Sequence, residues 1–359
     1  MPLNAASPAG WACPPEVVIK PRVRPTLADV AAAAGVSLKT ASRALNAEYG
    51  VAAATAQRVL EAARDLGFRP NHLARSLASR QTSAAVGLVI PSVSDPFIAA
   101  VVGAVERGLE PHGLQLISTS HGDDAAHQLT LVRTLVERRV DALVVISAPG
   151  DVSYLQSEID HGLVVVAVDR PLQGVSVDTI TADNHLGAML AVQGLLQTGH
   201  RRIAAVGTDG RLWTVMERYR GYAAALEAAQ IAVDPALVAM DCHDAHAALA
   251  AIDVMLALPQ PPTALFAAQH RAGRAGIRSM LSAGLVLDLT VFDEVADPDL
   301  LVIAPTVVVE SDPVRLGSGA AAMALERLDG LRGAARSVVL TPTLQHPRAP
   351  RVMGAGATS

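Results

Sequence analysis

The sequence predicts an all-α helix-turn-helix head followed by a two-lobed α/β body, on three observations. Two short helical patterns meet at Gly35, in residues 26–46. From residue 84 onward, Val- and Ile-rich runs of strand length alternate with amphipathic helical stretches, which indicates parallel sheets covered on both faces. This body is too long for one simple doubly wound sheet, so we expect two lobes with a cleft between them.

The head begins with two helices joined at a glycine that tolerates a left-handed turn. Small or apolar residues recur on one face of each helix: Leu27, Val30 and Ala31 in the first, Ala41, Ala44 and Leu45 in the second. Ser37 is the expected N-cap of the second helix. That helix would present Leu38, Lys39, Ser42 and Arg43 outward, as a helix that enters a DNA major groove does.

Two further helical segments follow. Residues 51–68 predict a third helix that Thr55 caps and Gly67 ends, with Val59, Leu60, Ala63 and Leu66 packed inward. The stretch 69–81 carries Leu73 and Leu77 at i and i+4, but it is too short to be a stable helix alone in water. It therefore needs a partner in order to fold.

Charge separates the head from the body. The 359-residue chain has a net charge of -5, yet residues 1–80 carry ten basic and five acidic side chains. A basic head on an acidic body is typical of a protein that binds a polyanion through the head alone. Two distant cysteines, Cys13 and Cys242, exclude a disulfide framework. No signal peptide or membrane-length apolar run is evident, so we expect a cytoplasmic protein.

The body lacks the motifs of the common catalytic classes. It has no P-loop, no GxSxG, no HExxH and no dinucleotide fingerprint, so we predict neither an enzyme nor a cofactor. The segment HDAH at 243–246 lacks a third ligand for a metal and is better explained as a solvated helix start. Ligands of such α/β folds bind beyond the carboxyl ends of the strands, which directs attention to the loops there.

The residues TLADVAAAAGVSLKTASRALN and LGFRPNHLARSL closely resemble the head and hinge of the LacI/GalR (lactose repressor) family. The body adds VDRP at 168–171, TGHRRIAAVG at 198–207 and ERYRGYAAAL at 217–226. The resemblance covers residues 26–347. It implies a bacterial repressor with a body like the periplasmic sugar-binding proteins. It also implies a homodimer that binds a pseudo-palindromic operator and responds to a small metabolite.

The resemblance also assigns DNA-binding roles. Leu38, Lys39 and Arg43 fall at base-reading positions, and an arginine can donate two hydrogen bonds to guanine. Four further residues of the head are expected to contact phosphates or to cap helices: Thr26, Ser37, Thr40 and Asn46. In the hinge, Leu77 would wedge between base pairs of the minor groove. Ala74 would let two hinge helices approach closely, while Asn71 and Arg75 would face the backbone or the groove.

For the effector site we predict seven residues: Asp95, Phe97, Asp169, Arg170, Arg218, Gln269 and Asp293. Asp95 could equally cap a helix with Phe97 in the core, and Asp169 with Arg170 could instead form a salt bridge between lobes. Because only 3% of residues are aromatic, the other aromatic residues near the cleft are also candidate stacking surfaces: Trp213, Tyr219 and Phe292.

The chain departs from the family pattern at the cleft. Gln269-His270 stands where relatives commonly have Asn-Asp, and Val291 stands where a glycine is usual. His270 replaces a carboxylate with a group whose charge depends on pH. With Arg170 and Arg218 nearby, this substitution favours an acidic effector such as a sugar acid or a phosphorylated sugar.

The predicted domain order is a flexible leader (1–24), the head (25–69), the hinge and linker (70–83), the effector-binding and dimerisation body (84–347) and a tail (348–359). The tail has no heptad repeat, which favours a dimer over a tetramer. Two other functions are also compatible with the sequence. A solute-binding protein would need export, and an α/β sugar-converting enzyme would show turnover of a cleft ligand.

Overall fold

The computed structural model describes residues 25–45, 49–68, 83–293 and 305–346. Internal contacts divide the chain into two units, Met1–Gln81 and Thr82–Ser359, each of which is described by itself. Among the described residues, no helix is both long and apolar enough to cross a membrane.

Three helices form the head: α1 (Leu27–Ala33), α2 (Leu38–Leu45) and α3 (Ala53–Asp65). Gly35 has a φ of +63° in the turn between α1 and α2, which confirms the predicted left-handed turn. The hydroxyl of Ser37 accepts a hydrogen bond from the backbone N–H of Thr40 at 3.1 Å, so Ser37 caps α2 as predicted. Thr26 caps α1, in a capping box with Asp29.

Small side chains let the three head helices pack closely. The buried core comprises Val30, Ala31, Ala34, Ala41, Ala44, Val59 and Ala63. Two expectations for α3 were wrong. Thr55 does not cap the helix, because α3 begins two residues earlier and has Ala52 at its N-cap. Leu60 and Leu66 are 43% and 39% exposed, because the face toward α1 and α2 needs only the smaller residues.

The first lobe of the body is a parallel sheet with helices on both faces. Its strands are β1 (Ala85–Ile90), β2 (Gln115–Ser120), β3 (Ala142–Val145), β4 (Val164–Val168), β5 (Asp178–Ala182) and β11 (Ser337–Leu340). They lie in the order β11-β5-β4-β3-β1-β2. The covering helices are α4 (Pro96–Leu109), α5 (Ala125–Glu137), the short α6 (Gln156–Asp160) and α11 (Pro313–Leu328).

The second lobe repeats this plan. Its sheet has the order β12-β10-β9-β8-β6-β7, with β12 antiparallel to β10. The strands are β6 (Ile203–Val206), β7 (Val238–Ala239), β8 (Ala264–Ala267), β9 (Asp288–Phe292), β10 (Val307–Glu310) and β12 (Thr343–Gln345). The helices are α7 (Asn184–Gln197), α8 (Trp213–Ala228), α9 (Ala245–Leu256) and α10 (His270–Ala283). The expectation of two α/β lobes is confirmed.

The chain passes between the lobes three times, from β5 to α7, from β10 to α11 and from β11 to β12. Helix α7 packs in the core of the second lobe, and α11 packs in the core of the first. Each lobe is therefore completed by a segment that has crossed over, and the carboxyl ends of both sheets face the gap between them.

Candidate functional site

A cavity of about 400 Å³ lies between the two lobes of the body. Its lining comes from the segments after β1, β2 and β4 of the first lobe and after β6, β7, β8 and β9 of the second. The structure brings all seven predicted effector residues, and His270, into this lining. The volume falls in the range of small-molecule sites in proteins.

Arg218 is the most firmly held of these residues. Its Nε donates to Oδ1 of Asn184 and its Nη1 donates to the carbonyl of Ala268, both at 2.7 Å. Nη2 lies 3.6 Å from Oδ2 of Asp293, and the guanidinium carbon lies 3.9 Å from the ring centroid of Phe292. The side chain is only 5% exposed. The guanidinium of Arg218 is therefore already oriented, so a ligand that binds it orders little further side-chain freedom.

Asp169 and Asp293 occupy equivalent positions in the two lobes, directly after β4 and β9. Both have left-handed backbones, with φ of 68° and 60°. Each donates its N–H to the neighbouring strand, to Ile180 and Val309 respectively, at 2.9 Å. Burial raises the pKa of both carboxyl groups, and nearby arginines oppose that rise. The two sheets thus each deliver one buried acid to the cavity.

Arg170 is paired within its own lobe. Its Nη1 donates to Oδ1 of Asp123 and to the carbonyl of Ser147, both at 2.9 Å, and its Nε lies 3.4 Å from Oδ2 of Asp169. The alternative of a salt bridge between lobes is wrong for this pair, because all three partners of Arg170 belong to the first lobe.

The contact between lobes is made instead by Asp95. Its Oδ2 lies 3.7 Å from Nε2 of His270 and 3.9 Å from Nη2 of Arg271, both on α10 of the second lobe. Its Oδ1 accepts a hydrogen bond from the backbone N–H of Phe97 at 3.0 Å. Asp95 is thus a helix cap and a cavity residue at once. Phe97 likewise packs against the core and lines the cavity.

Gln269 is oriented by Thr208. The backbone N–H of Thr208 donates to Oε1 of Gln269 at 3.2 Å, and the Thr208 hydroxyl bonds to the same oxygen. Because the oxygen is fixed by a backbone donor, the amide nitrogen of Gln269 remains as a donor for a ligand.

The expectation for the other aromatic residues was wrong in part. Tyr219 and Phe292 belong to the core of the second lobe, where rings stack from Tyr219 to Tyr222 and Phe266 and end edge-on at Phe292. Trp213 lines a small neighbouring cavity of about 20 Å³. Of the aromatic residues that the structure describes, only Phe97 lines the main cavity.

Sequence reasoning missed several cavity residues: Asp123, Thr208, Asp209, Arg211, His243 and Arg271. Asp123 follows β2 and Thr208 follows β6, so the rule that ligands bind beyond strand ends would have found both. The HDAH segment is a helix start as predicted, since Asp244 caps α9 by accepting from the N–H groups of His246 and Ala247 at 2.8 Å.

Helix α2 presents the predicted DNA-reading residues on its outer face. Leu38 is 54% exposed, and Lys39 is also exposed, while Ser42 and Arg43 are half-buried. Arg43 donates to the backbone carbonyl of Tyr49, which holds it against the loop before α3. The other predicted contacts, Asn46, Asn71, Ala74, Arg75 and Leu77, lie outside the described residues.

A helix-turn-helix head followed by a two-lobed body with a ligand cavity between the lobes defines a ligand-responsive DNA-binding regulator. Residues 26–71 match the model of bacterial regulatory proteins of the lacI family. Residues 83–329 match the model described as periplasmic binding proteins and sugar binding domain of LacI family. The chain belongs to the LacI family. It is a DNA-binding transcriptional regulator, not an enzyme, and its body is the sugar-binding domain of that family.

Curated relatives support this membership along most of the chain. The ribose operon repressor of Haemophilus influenzae is 28% identical, over 89% of this chain and 96% of its own length. The regulator CelR of Thermobifida fusca is 34% identical, over 73% of this chain and 79% of its own length. The repressor CytR of Escherichia coli is 29% identical, over 78% of this chain and 84% of its own length.

Solved structures show the same fold. A CelR–cellobiose complex has a TM-score of 0.65 at 28% identity and covers 90% of this chain and 98% of its own. A lac repressor dimer bound to operator and the anti-inducer ONPF has a TM-score of 0.74 at 22% identity, with 90% and 99% covered. Because the lac repressor is only 22% identical to this chain, the similarity to it shows a shared fold and nothing more.

Proposed function

We propose that this protein is a repressor whose affinity for its operator is set by a neutral, polyhydroxylated sugar bound in the cavity between the lobes. The observation that carries the proposal is the convergence of seven predicted residues on one cavity that is rich in hydrogen-bonding groups. One relative is named a ribose operon repressor, and the structure of another, CelR, is described as a complex with cellobiose. The seven residues are proposed as the contacts.

The charges of the cavity favour a neutral ligand over the acidic one that the sequence suggested. Five aspartates and four arginines line the cavity, together with two histidines. Arg170 and Arg218 already face Asp123, Asp169 and Asp293. Since these cations are compensated within the protein, a carboxylate or phosphate on the ligand would meet little uncompensated positive charge. Hydroxyl groups can instead donate to the aspartates and accept from the arginines.

Ligand binding would act on DNA through closure of the lobes. We propose a cytoplasmic homodimer that presents two heads to a pseudo-palindromic operator, with Leu38, Lys39, Ser42 and Arg43 reading bases. Thr26, Ser37, Thr40 and Asn46 would contact phosphates. A hinge that folds on the DNA would add Asn71, Ala74, Arg75 and Leu77. A ligand that binds one lobe arrangement better than the other shifts the population and with it the operator affinity.

A thermal-shift screen of neutral sugars, sugar acids and sugar phosphates tests the proposed ligand class. Binding to the native state alone raises the melting temperature, by an amount that corresponds to about 2.7 kcal/mol at a hundredfold excess over Kd. We expect a neutral sugar to give the largest shift, and Arg218→Lys to remove it because lysine lacks the planar donor set.

Arg220→Lys is the matched control, because Arg220 lies on the same helix with 62% of its side chain exposed and does not line the cavity. It should keep the full shift. A larger shift from sugar acids or phosphates would support the acidic ligand instead. An equal shift in the wild type and in Arg218→Lys would place the ligand elsewhere.

A further inference from the structure

A second, much smaller cavity adjoins the main one between the lobes. Arg170, Arg211 and Leu212 line both cavities, so the two are neighbours. The small cavity has a volume of about 20 Å³. Because one water molecule needs about 10–15 Å³ of such space, the small cavity holds a group of about one or two non-hydrogen atoms, and a second sugar ring does not fit.

Both lobes contribute apolar rings to the small cavity. Trp213, the first residue of α8 in the second lobe, is half-buried and lines it. Pro149 and Pro171 line it from the loops after β3 and β4 of the first lobe. The rings of tryptophan and proline offer apolar surface, which suits a carbon atom of a ligand better than a charged group.

Arg170 supplies a hydrogen-bond donor beside these rings. Its Nη1 donates to Asp123 and to the carbonyl of Ser147, and its Nε faces Asp169. Among the described residues, no acceptor bonds to its Nη2. A hydroxyl can accept a hydrogen bond from that nitrogen without bringing a charge into the cavity. The small cavity therefore matches a short arm that has a carbon next to the sugar ring and a hydroxyl at its end.

We propose that the small cavity is a subsite for the exocyclic hydroxymethyl group of a hexose whose ring lies in the main cavity. Trp213, Pro149 and Pro171 pack against the carbon of this group, and Arg170 donates to its hydroxyl. The subsite makes the effector a hexose, alone or as a unit of a short oligosaccharide, and not a pentose. This inference rests on the proposed function, since it needs a neutral sugar in the main cavity.

A pentose of the same ring configuration is the matched ligand, because it lacks only the hydroxymethyl arm. Isothermal titration calorimetry on the full chain compares glucose with xylose, galactose with arabinose, mannose with lyxose, and cellobiose with xylobiose, and ribose is titrated as well. One methylene group in a fitted pocket changes discrimination by about 10–200-fold, so we expect the hexose of the pair that binds to have a Kd at least about tenfold lower.

Trp213→Ala tests whether the small cavity causes this preference. Since the substitution removes one wall of the subsite, the affinity for the hexose should fall severalfold and the affinity for the pentose should stay the same. Met216→Ala is the matched control, because Met216 lies one turn further along α8, is half-buried and lines neither cavity. It should keep the full preference for the hexose.

Fluorescence locates the ligand without altering the subsite. The chain has two tryptophans, Trp11 and Trp213, so Trp11→Phe leaves Trp213 as the only one. Binding of the hexose should change the emission of Trp213, and saturation with its pentose partner should change it less.

Four results would overturn the subsite while sugar binding itself stands: equal affinities within the pair that binds, tighter binding of ribose or another pentose than of any hexose, an unchanged preference in Trp213→Ala, or an unchanged Trp213 emission with hexose bound. The first would mean that the small cavity holds only water. If no sugar binds at all, the proposed function fails, and the subsite fails with it.

Discussion

At the scale of single residues, the body compensates its buried charges before any ligand arrives. Arg218 is bonded on three sides, and Asp169 and Asp293 lie at matching strand ends of the two lobes. Asp169 could be predicted from the sequence because it directly follows a Val-rich run, and Arg218 and Asp293 could be predicted from the family resemblance. Their pairing could not, since it depends on how two sheets distant in sequence are brought together. That pairing is the reason why we propose a neutral ligand where the sequence favoured an acidic one.

A second buried charge cluster, centred on Asp178, gives a prediction about stability. Its carboxylate accepts hydrogen bonds from Arg327 and Arg336, the shortest at 2.7 Å, and is 1% exposed. We expect Asp178→Asn to lower the free energy of unfolding by about 3 kcal/mol at pH 7, because two arginines lose a buried counter-charge. Urea unfolding midpoints would measure the loss.

Glu326→Gln is the control for Asp178→Asn, since Glu326 bonds the same Arg336 at a site 52% exposed and should cost at most about 0.5 kcal/mol. Burial acts to raise the pKa of Asp178, but the bonds from Arg327 and Arg336 outweigh it and hold the pKa below the ordinary value. The wild-type advantage should therefore be full above about pH 4 and shrink as the pH falls further. Equal stability of the wild type and Asp178→Asn at pH 7 would contradict this.

At the scale of elements, the alternation of apolar runs and helical stretches was sufficient to predict most strands and the two lobes. The sequence did not reveal β9, which lies between β8 and β10, nor did it reveal β7, β11 and β12, which are short strands at sheet edges with exposed or mixed residues. Their pairing depends on the neighbouring strand more than on their own composition. Helices α8 and α10 also start earlier than their apolar pattern indicates, and the polar first turn of α10 lines the cavity with His270 and Arg271.

The packing of α7 against α8 depends on a glycine that the sequence alone does not single out. A Cβ at Gly221 would lie 2.2 Å from the backbone carbonyl of His185 and 2.8 Å from the Cβ of Ala188. Because neither neighbour is a flexible chain end, we expect Gly221→Ala to destabilise the protein by at least about 2 kcal/mol through overpacking. Thermal unfolding would measure the effect.

Gly194 on α7 is the matched control, since nothing lies within 4 Å of a Cβ added there. Gly194→Ala should stabilise by up to about 1 kcal/mol, because alanine has the higher helix propensity. If both substitutions changed the stability by the same amount and sign, the close approach of α7 and α8 would not determine the cost.

At the scale of the whole molecule, the residues proposed to read DNA lie in the head, whereas the ligand cavity lies entirely within the body. Family membership establishes a DNA-binding regulator with a sugar-binding domain. We propose that the head and the cavity are coupled, which needs a ligand with different affinities for two arrangements of the lobes. A coupling of about 1.4 kcal/mol corresponds to a tenfold change in operator affinity.

The most direct test is fluorescence anisotropy of labelled DNA from the region upstream of the protein's own gene, with and without the sugar that gives the largest thermal shift. We predict sequence-specific binding whose Kd changes at least about tenfold with the sugar. Arg218→Lys should bind the DNA with the same Kd whether or not the sugar is present. An unchanged wild-type Kd at saturating sugar, or no preference for this DNA over unrelated competitor, would contradict the proposed function.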